Sequence, residues 1–194
     1  MKKIFVSFIS VVFFFGLFVP NQAYATEFRN SDKQMMVASQ ELVEGTLFTT
    51  GDTITIDGSV EGDLFCAGKT ILVRGSVGGD VICAGQTIRI EGMVGGNVRV
   101  AGQDVMVAGR VERSGTMFGQ HITLDKESSF GGDVLAAGQN VSASGVIGRS
   151  AVAFGDTILF DGSVTRDVFA GGTTLNVGNA SHIGGTLTLS LIHI

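Results

Sequence analysis

The chain has no tryptophan, one tyrosine and one proline among its 194 residues. Pro20 and Tyr24 both fall in the first 25 positions, so the remainder has none of the three. Sugar stacking on exposed Trp or Tyr faces is therefore poorly provided for. Positive charge is also scarce, with 13 Lys and Arg against 18 Asp and Glu. That balance argues against nucleic acid and against anionic lipid as partners. No P-loop, dinucleotide fingerprint, nucleophile elbow or Ser-His-Asp set occurs. No catalytic, cofactor-binding or metal-ligating residue is assigned, and neither a nucleotide nor any other cofactor is expected.

The first residues specify a compartment. Lys2 and Lys3 precede a mostly apolar run, Ile4 to Val19. At 16 residues the run is short for a membrane-spanning helix. Pro20 ends it, and Ala23-Tyr24-Ala25 supplies a small-x-small site before Thr26. This is the layout of a secretory signal peptide, residues 1–25, which is either cleaved or retained as an anchor. Its removal leaves 11 basic and 18 acidic residues, a net charge of −7.

Glycine is abundant, and its spacing reveals a repeat. Gly51, Gly68, Gly85, Gly102, Gly119, Gly138, Gly155 and Gly172 are separated by 17 residues, except for one step of 19. The units GDTITIDGSVEGDLFCA, GKTILVRGSVGGDVICA and GQTIRIEGMVGGNVRVA align without gaps. Ile54, Ile71 and Ile88 share one column; Ile56, Val73 and Ile90 share a second. Val60, Val77 and Val94 form a third, and Leu64, Val81 and Val98 a fourth. Alternating apolar positions in so short a unit mean strands with one buried face. Seventeen residues suffice for three short strands and three corners, one coil of an all-β, single-stranded parallel β-helix. About eight coils are expected across residues 41–188. Residues 26–40 are then an N-terminal linker or cap. A second glycine column, which includes Gly58, Gly75 and Gly92, requires either positive φ or close backbone packing. Lys126 interrupts it in the 19-residue unit, where Lys126 to Ser129 are expected to form a small outward loop.

The units GSVEGDLFCAG, GSVGGDVICAG and GMVGGNVRVAG resemble the bactofilins, the polymer-forming cytoskeletal proteins, over about residues 43–189. The resemblance implies a right-handed three-faced β-helix that polymerises end to end without nucleotide and scaffolds the cell envelope. Typical members act on the cytoplasmic side of the membrane. Here the leader points to export across the inner membrane, to the periplasm or cell surface. The expected role is a non-enzymatic structural scaffold whose main partner is itself, with envelope proteins or the membrane as further partners. The alternative is a secreted binding module, such as an adhesin or a carbohydrate-binding rod.

Several polar columns are candidates for chemistry. Asp63, Asp80, Asn97, Ser114, Asp133, Ser150 and Asp167 share one register position. Stacked carboxylates suggest calcium, but the mixture of Asp, Asn and Ser suits backbone capping better. Gln86, Gln103, Gln120 and Gln139 suit an amide ladder. His121 belongs to an outward column of mostly Thr, and no second ligand stands at zinc spacing. Cys66 and Cys83 occupy one column, either as buried apolar residues or as a disulfide.

Phe48, Phe65 and Ile82, and again Leu135, Val152 and Phe169, form outward apolar runs separated by Arg99 and Thr116. These mark an interface or a surface covered by Met35 to Val37. The first coil, Val43 to Thr50, is expected to present an uncapped apolar end in which Leu47 meets another chain. Finally, residues 189–194 read LSLIHI, which resembles the translation of a sequencing-library transposon end. They are expected to be an adapter artefact at a truncated C-terminus, with further coils, an anchor or another domain lost beyond it.

Overall fold

In the computed structural model, which describes residues 26–191, every strand is parallel to its neighbours and no helix occurs. The first strands are β1 (Glu27–Asn30), β2 (Gln34–Val37), β3 (Leu42–Val43) and β4 (Leu47–Ile56). From β4 onward each level repeats one plan. A ten-residue strand is followed by a two-residue strand, as in Leu64–Val73 with Ser76–Val77. The long strands stack in register, with Leu47 beneath Leu64, Leu64 beneath Val81, and Ile54 beneath Ile71. The short strands form a second, nine-stranded sheet. The chain is a β-solenoid of ten levels, counted along the path of the long sheet.

The three expected inner faces are present, although two of them lie on one continuous strand. In β4, Leu47 and Thr49 point inward, then Ile54 and Ile56 do so. The inward positions change from odd to even numbers around Gly51. That change of phase marks the corner, and Val60 on the next short strand supplies the third face. One core cluster runs from Met35 to Ala170. The inner levels each contribute several buried Val, Ile or Leu side chains, worth roughly 1.5–3 kcal/mol apiece.

Close packing, and not backbone handedness, explains the second glycine column. Among the described residues only Gly45 has positive φ, at 85°. A Cβ on Gly75 would overlap the carbonyl oxygen of Gly58, and one on Gly92 that of Gly75. In the 19-residue coil it is Ser128 that takes this place, since Ser129 pairs with Arg110. The outward turn is Lys126 and Glu127, and Ser129 is already in the next strand. Ser128 is buried, and its Oγ donates to the Asp125 carbonyl at 2.7 Å. The last coil repeats this solution: Ser163 pairs with His182, an offset of 19, and the Ser181 hydroxyl donates to the Gly178 carbonyl.

The N-terminal segment differs most from expectation. Residues 26–40, expected to be a linker or a cap, pair into the rod as its first level. Glu27 to Asn30 pair with Leu47 to Thr50, and Gln34 to Val37 pair with Thr53 to Ile56. The register offset is 20 along β1, 19 along β2 and 17 at Leu42. Three extra residues thus enter around one turn, which hides this coil from a 17-residue alignment. The expected signal peptide lies outside the described residues.

Candidate assembly surfaces

The polar column at the start of each long strand holds the coils together. Asp63 Oδ1 accepts the backbone N–H of Asp80 at 2.7 Å, and Asp80 Oδ1 accepts that of Asn97 at 2.7 Å. Asn97 Oδ1 accepts from Ser114, and Ser114 Oγ from Asp133. Asp133 and Asp167 cap Ser150 and Thr186 in the same way. Each side chain satisfies an N–H one level up that no strand reaches, so the column is a capping ladder. Burial pushes the Asp80 carboxyl up. The Asn97 amides and the Arg99 guanidinium outweigh it and hold Asp80 below the usual carboxylate range. Among the described residues, no group of three or more His, Cys, Asp or Glu is placed to hold a metal ion. His121 is exposed beside Asn140, and His182 is exposed on the short sheet. In the amide column, Gln86 donates to Gln103 at 3.2 Å.

Cys66 and Cys83 are joined as a disulfide, with Cα atoms 4.5 Å apart. Both are buried, so the bridge ties two core levels from inside. Below it in the same column stands Thr49, whose buried hydroxyl has no hydrogen-bond partner.

The first level is closed by charge. Glu27 aligns with Leu47 and Arg29 with Thr49, so ionic side chains occupy two core columns. The Arg29 guanidinium binds Glu27 at 2.6 Å and Glu41 at 2.5 Å. The Ala38 N–H and Arg29 hold the Glu41 carboxyl below its ordinary range. On the adjoining face Met35 and Val37 point inward and are buried. Leu47 is fully buried above this level and is not an end residue. The expectation of an apolar joint at Leu47 is therefore wrong. The charges that replace it sit in a coil of different period. Val177 on the ninth long strand and Leu189 on the tenth belong to inward columns yet are 48% and 47% exposed.

The outward apolar face is real and wider than the sequence suggested. Phe28, Phe48 and Phe65 stack ring on ring, with centroids 4.9 and 4.5 Å apart. Met35 and Val37 turn inward and do not cover it. Two residues along each strand lies a second outward column, which includes Ala67, Ala84, Ala101, Phe118 and Phe154. Small residues in this column form the floor of an open groove of about 770 Å³, with Phe48, Phe65 and Ile82 along one side and Phe118 at one end.

A rod of in-register coils with capped corners and apolar outer stripes suits assembly. Residues 35–135, just over half of the chain, match a family model described as "Bactofilin: Polymer-forming cytoskeletal". The chain belongs to the bactofilin family. Neither the curated proteins nor the solved structures compared with it gave a match. The family is a structural, polymer-forming one, and the bactofilin match begins at Met35, inside the first level of the rod.

Proposed function

We propose that this bactofilin is a non-enzymatic scaffold of the bacterial cell envelope, exported by its leader and assembled from its own copies by end-to-end stacking. One observation carries the reading. The strands of the first described level, β1 and β2, pair with a neighbour on one side only. Such edges recruit another chain unless they are covered. A copy stacked on that edge continues the ladders already built inside the rod. At the first level Glu27, Arg29 and Glu41 make the joint ionic, so it weakens with salt.

Export is supported by the n-region, the apolar run and the small-x-small site within residues 1–25. Fractionation of cells expressing the full chain with a C-terminal tag tests it. Recovery in the periplasm or on the surface is expected, and recovery in the cytoplasm alone refutes the envelope role. The scaffold role is tested by negative-stain microscopy of the purified protein, where rods longer than one chain are expected.

A further inference from the structure

Two outward columns run side by side along the first half of each long strand, and they differ in height. Phe28, Phe48, Phe65, Ile82 and Arg99 form a ridge, its first three rings stacked 4.9 and 4.5 Å apart. Two residues further along the same strands, Thr50, Ala67, Ala84 and Ala101 form the floor of the apolar groove. At the next level the pattern inverts. The ridge drops to Thr116, and the groove is blocked by Phe118, which is 47% exposed. Above it Leu135 and Ala137 restore the first pattern. A tall side chain and a short one thus share one strand at level after level. The core does not require this, because these side chains point away from it.

We propose that this face pairs with the same face of a second copy, the two rods lying parallel about a two-fold axis that runs along the rod between the two columns. That operation keeps the levels and exchanges the columns. Phe48 meets Thr50 of the other copy, Phe65 meets Ala67, Ile82 meets Ala84, and Leu135 meets Ala137. Phe118 meets Thr116, so the ridge of one copy is interrupted at the level where the groove of the other is blocked. The ridge of each copy fills the groove of the other. Every contact occurs twice, as an isologous interface requires.

The same columns exclude an antiparallel pair. A two-fold axis along the strands reverses the levels and sets each column opposite itself, wherever on the rod the axis lies. Ridge then meets ridge, and groove faces groove unfilled. Arg99 is compatible with the parallel pair. Its guanidinium binds the Asp80 carboxylate, which draws the charge toward the strand edge. The apolar stem is then what crosses to Ala101 of the other copy.

The eighth level limits the contact. Val152 faces Phe154 there, and both are large. The Phe154 ring also lies across Gly171, where an added Cβ would stand 2.8 Å from it. The matched face therefore runs over seven levels, from Phe28 to Leu135. It covers roughly 35 Å by about 14 Å, on the order of 500 Å² per copy. The total is about 1,000 Å², the lower bound for a specific contact. Single chains pair weakly. Rods joined end to end pair firmly, because each added chain repeats the contact. In this respect the inference rests on the scaffold reading above.

The test uses the protein purified from expression of the full chain. Ala84→Ile raises the floor opposite Ile82. Ile82→Ala combined with Ala84→Ile exchanges ridge and floor within one strand and restores the match. Phe154→Ala removes the crowded pair. All three positions face outward, and thermal melting checks that the fold is kept. Width and mass per length are read by electron microscopy, and oligomer mass by analytical ultracentrifugation at high protein concentration. The unaltered protein is expected to form structures two rods wide. Ala84→Ile is expected to give single rods, a twofold fall in mass per length, and the combined variant to regain the double width. Phe154→Ala is expected to keep it. Single rods from the unaltered protein overturn the proposal, as does double width retained in Ala84→Ile. So does a combined variant as narrow as Ala84→Ile, since the two residues then do not face one another, or a loss of width in Phe154→Ala. Failure of end-to-end stacking is distinguishable, because it shortens the objects to one chain while leaving them paired.

Discussion

Glu27 stands directly below Leu47 in an inward-facing column, with Arg29 beside it below Thr49. A fully buried leucine thus has a carboxylate as its lower neighbour, neutralised by a guanidinium at 2.6 Å. These charges make a joint at the first level salt-sensitive. Replacing both groups, by Glu27→Leu with Arg29→Val, converts the level to an apolar edge. Longer assemblies are expected, insensitive to salt between about 50 mM and about 500 mM, whereas the unaltered protein shortens over that range. Sedimentation velocity at the two ionic strengths checks this.

Leu47 itself belongs to the core. Leu47→Glu places an unpaired charge among apolar side chains and is expected to unfold the first levels, by several kcal/mol, without acting on any joint. Thermal unfolding separates the two outcomes. A well-folded but merely shorter polymer would contradict the placement of β1.

Thr49 offers a gain of stability. Its buried hydroxyl lacks a partner. Valine has the same shape without the unsatisfied oxygen, so Thr49→Val is expected to stabilise by about 1 kcal/mol. A rise in Tm is the readout, and a fall would mean that the hydroxyl is satisfied in solution.

The capping ladder predicts an asymmetry between two conservative changes. Asp80→Ala strands the Asn97 N–H and releases Arg99, at a cost of about 1–3 kcal/mol. Asp80→Asn keeps the acceptor and is expected to cost less, since Asn97 already caps Ser114 as an amide. The pH dependence has a defined sign. The carboxyls of Asp80 and Glu41 are held below their ordinary values, so both bind protons less readily when folded. Their contribution is complete above the unfolded values, about pH 4, and is lost as pH falls through the lower folded ones. Melting between pH 6 and pH 2 should show that loss, reduced in Asp80→Asn.

The bridge between Cys66 and Cys83 closes a short loop, worth about 3 kcal/mol in the chain-entropy account. Thiol counting on the unfolded, unreduced protein is expected to find none. Reduction should lower the Tm while leaving the rod folded, because both sulfurs remain in the core.

Most of the rod was legible because its period is constant. Columns such as Ile54, Ile71 and Ile88 can be read by eye, and the ladders follow from them. The capping role of Asp63 and Asp80 was legible from the mixture of Asp, Asn and Ser in their column. The first level was not. Its offset drifts from 20 to 17, so Glu27 and Arg29 never align with the positions they occupy. Ser128 was missed for a related reason. Two inserted residues shift the glycine column, and the frame alone points to Lys126. The disulfide stayed open because one column position fixes the spacing of two Cα atoms and not the direction of their side chains.

The central claim is that these coils continue from chain to chain, and analytical ultracentrifugation over a wide range of protein concentration, with negative-stain microscopy of the same samples, tests it most directly. Growing species are expected, visible as rods longer than the roughly 45 Å that ten levels span. A monomer whose mass stays constant at high concentration would contradict the scaffold account.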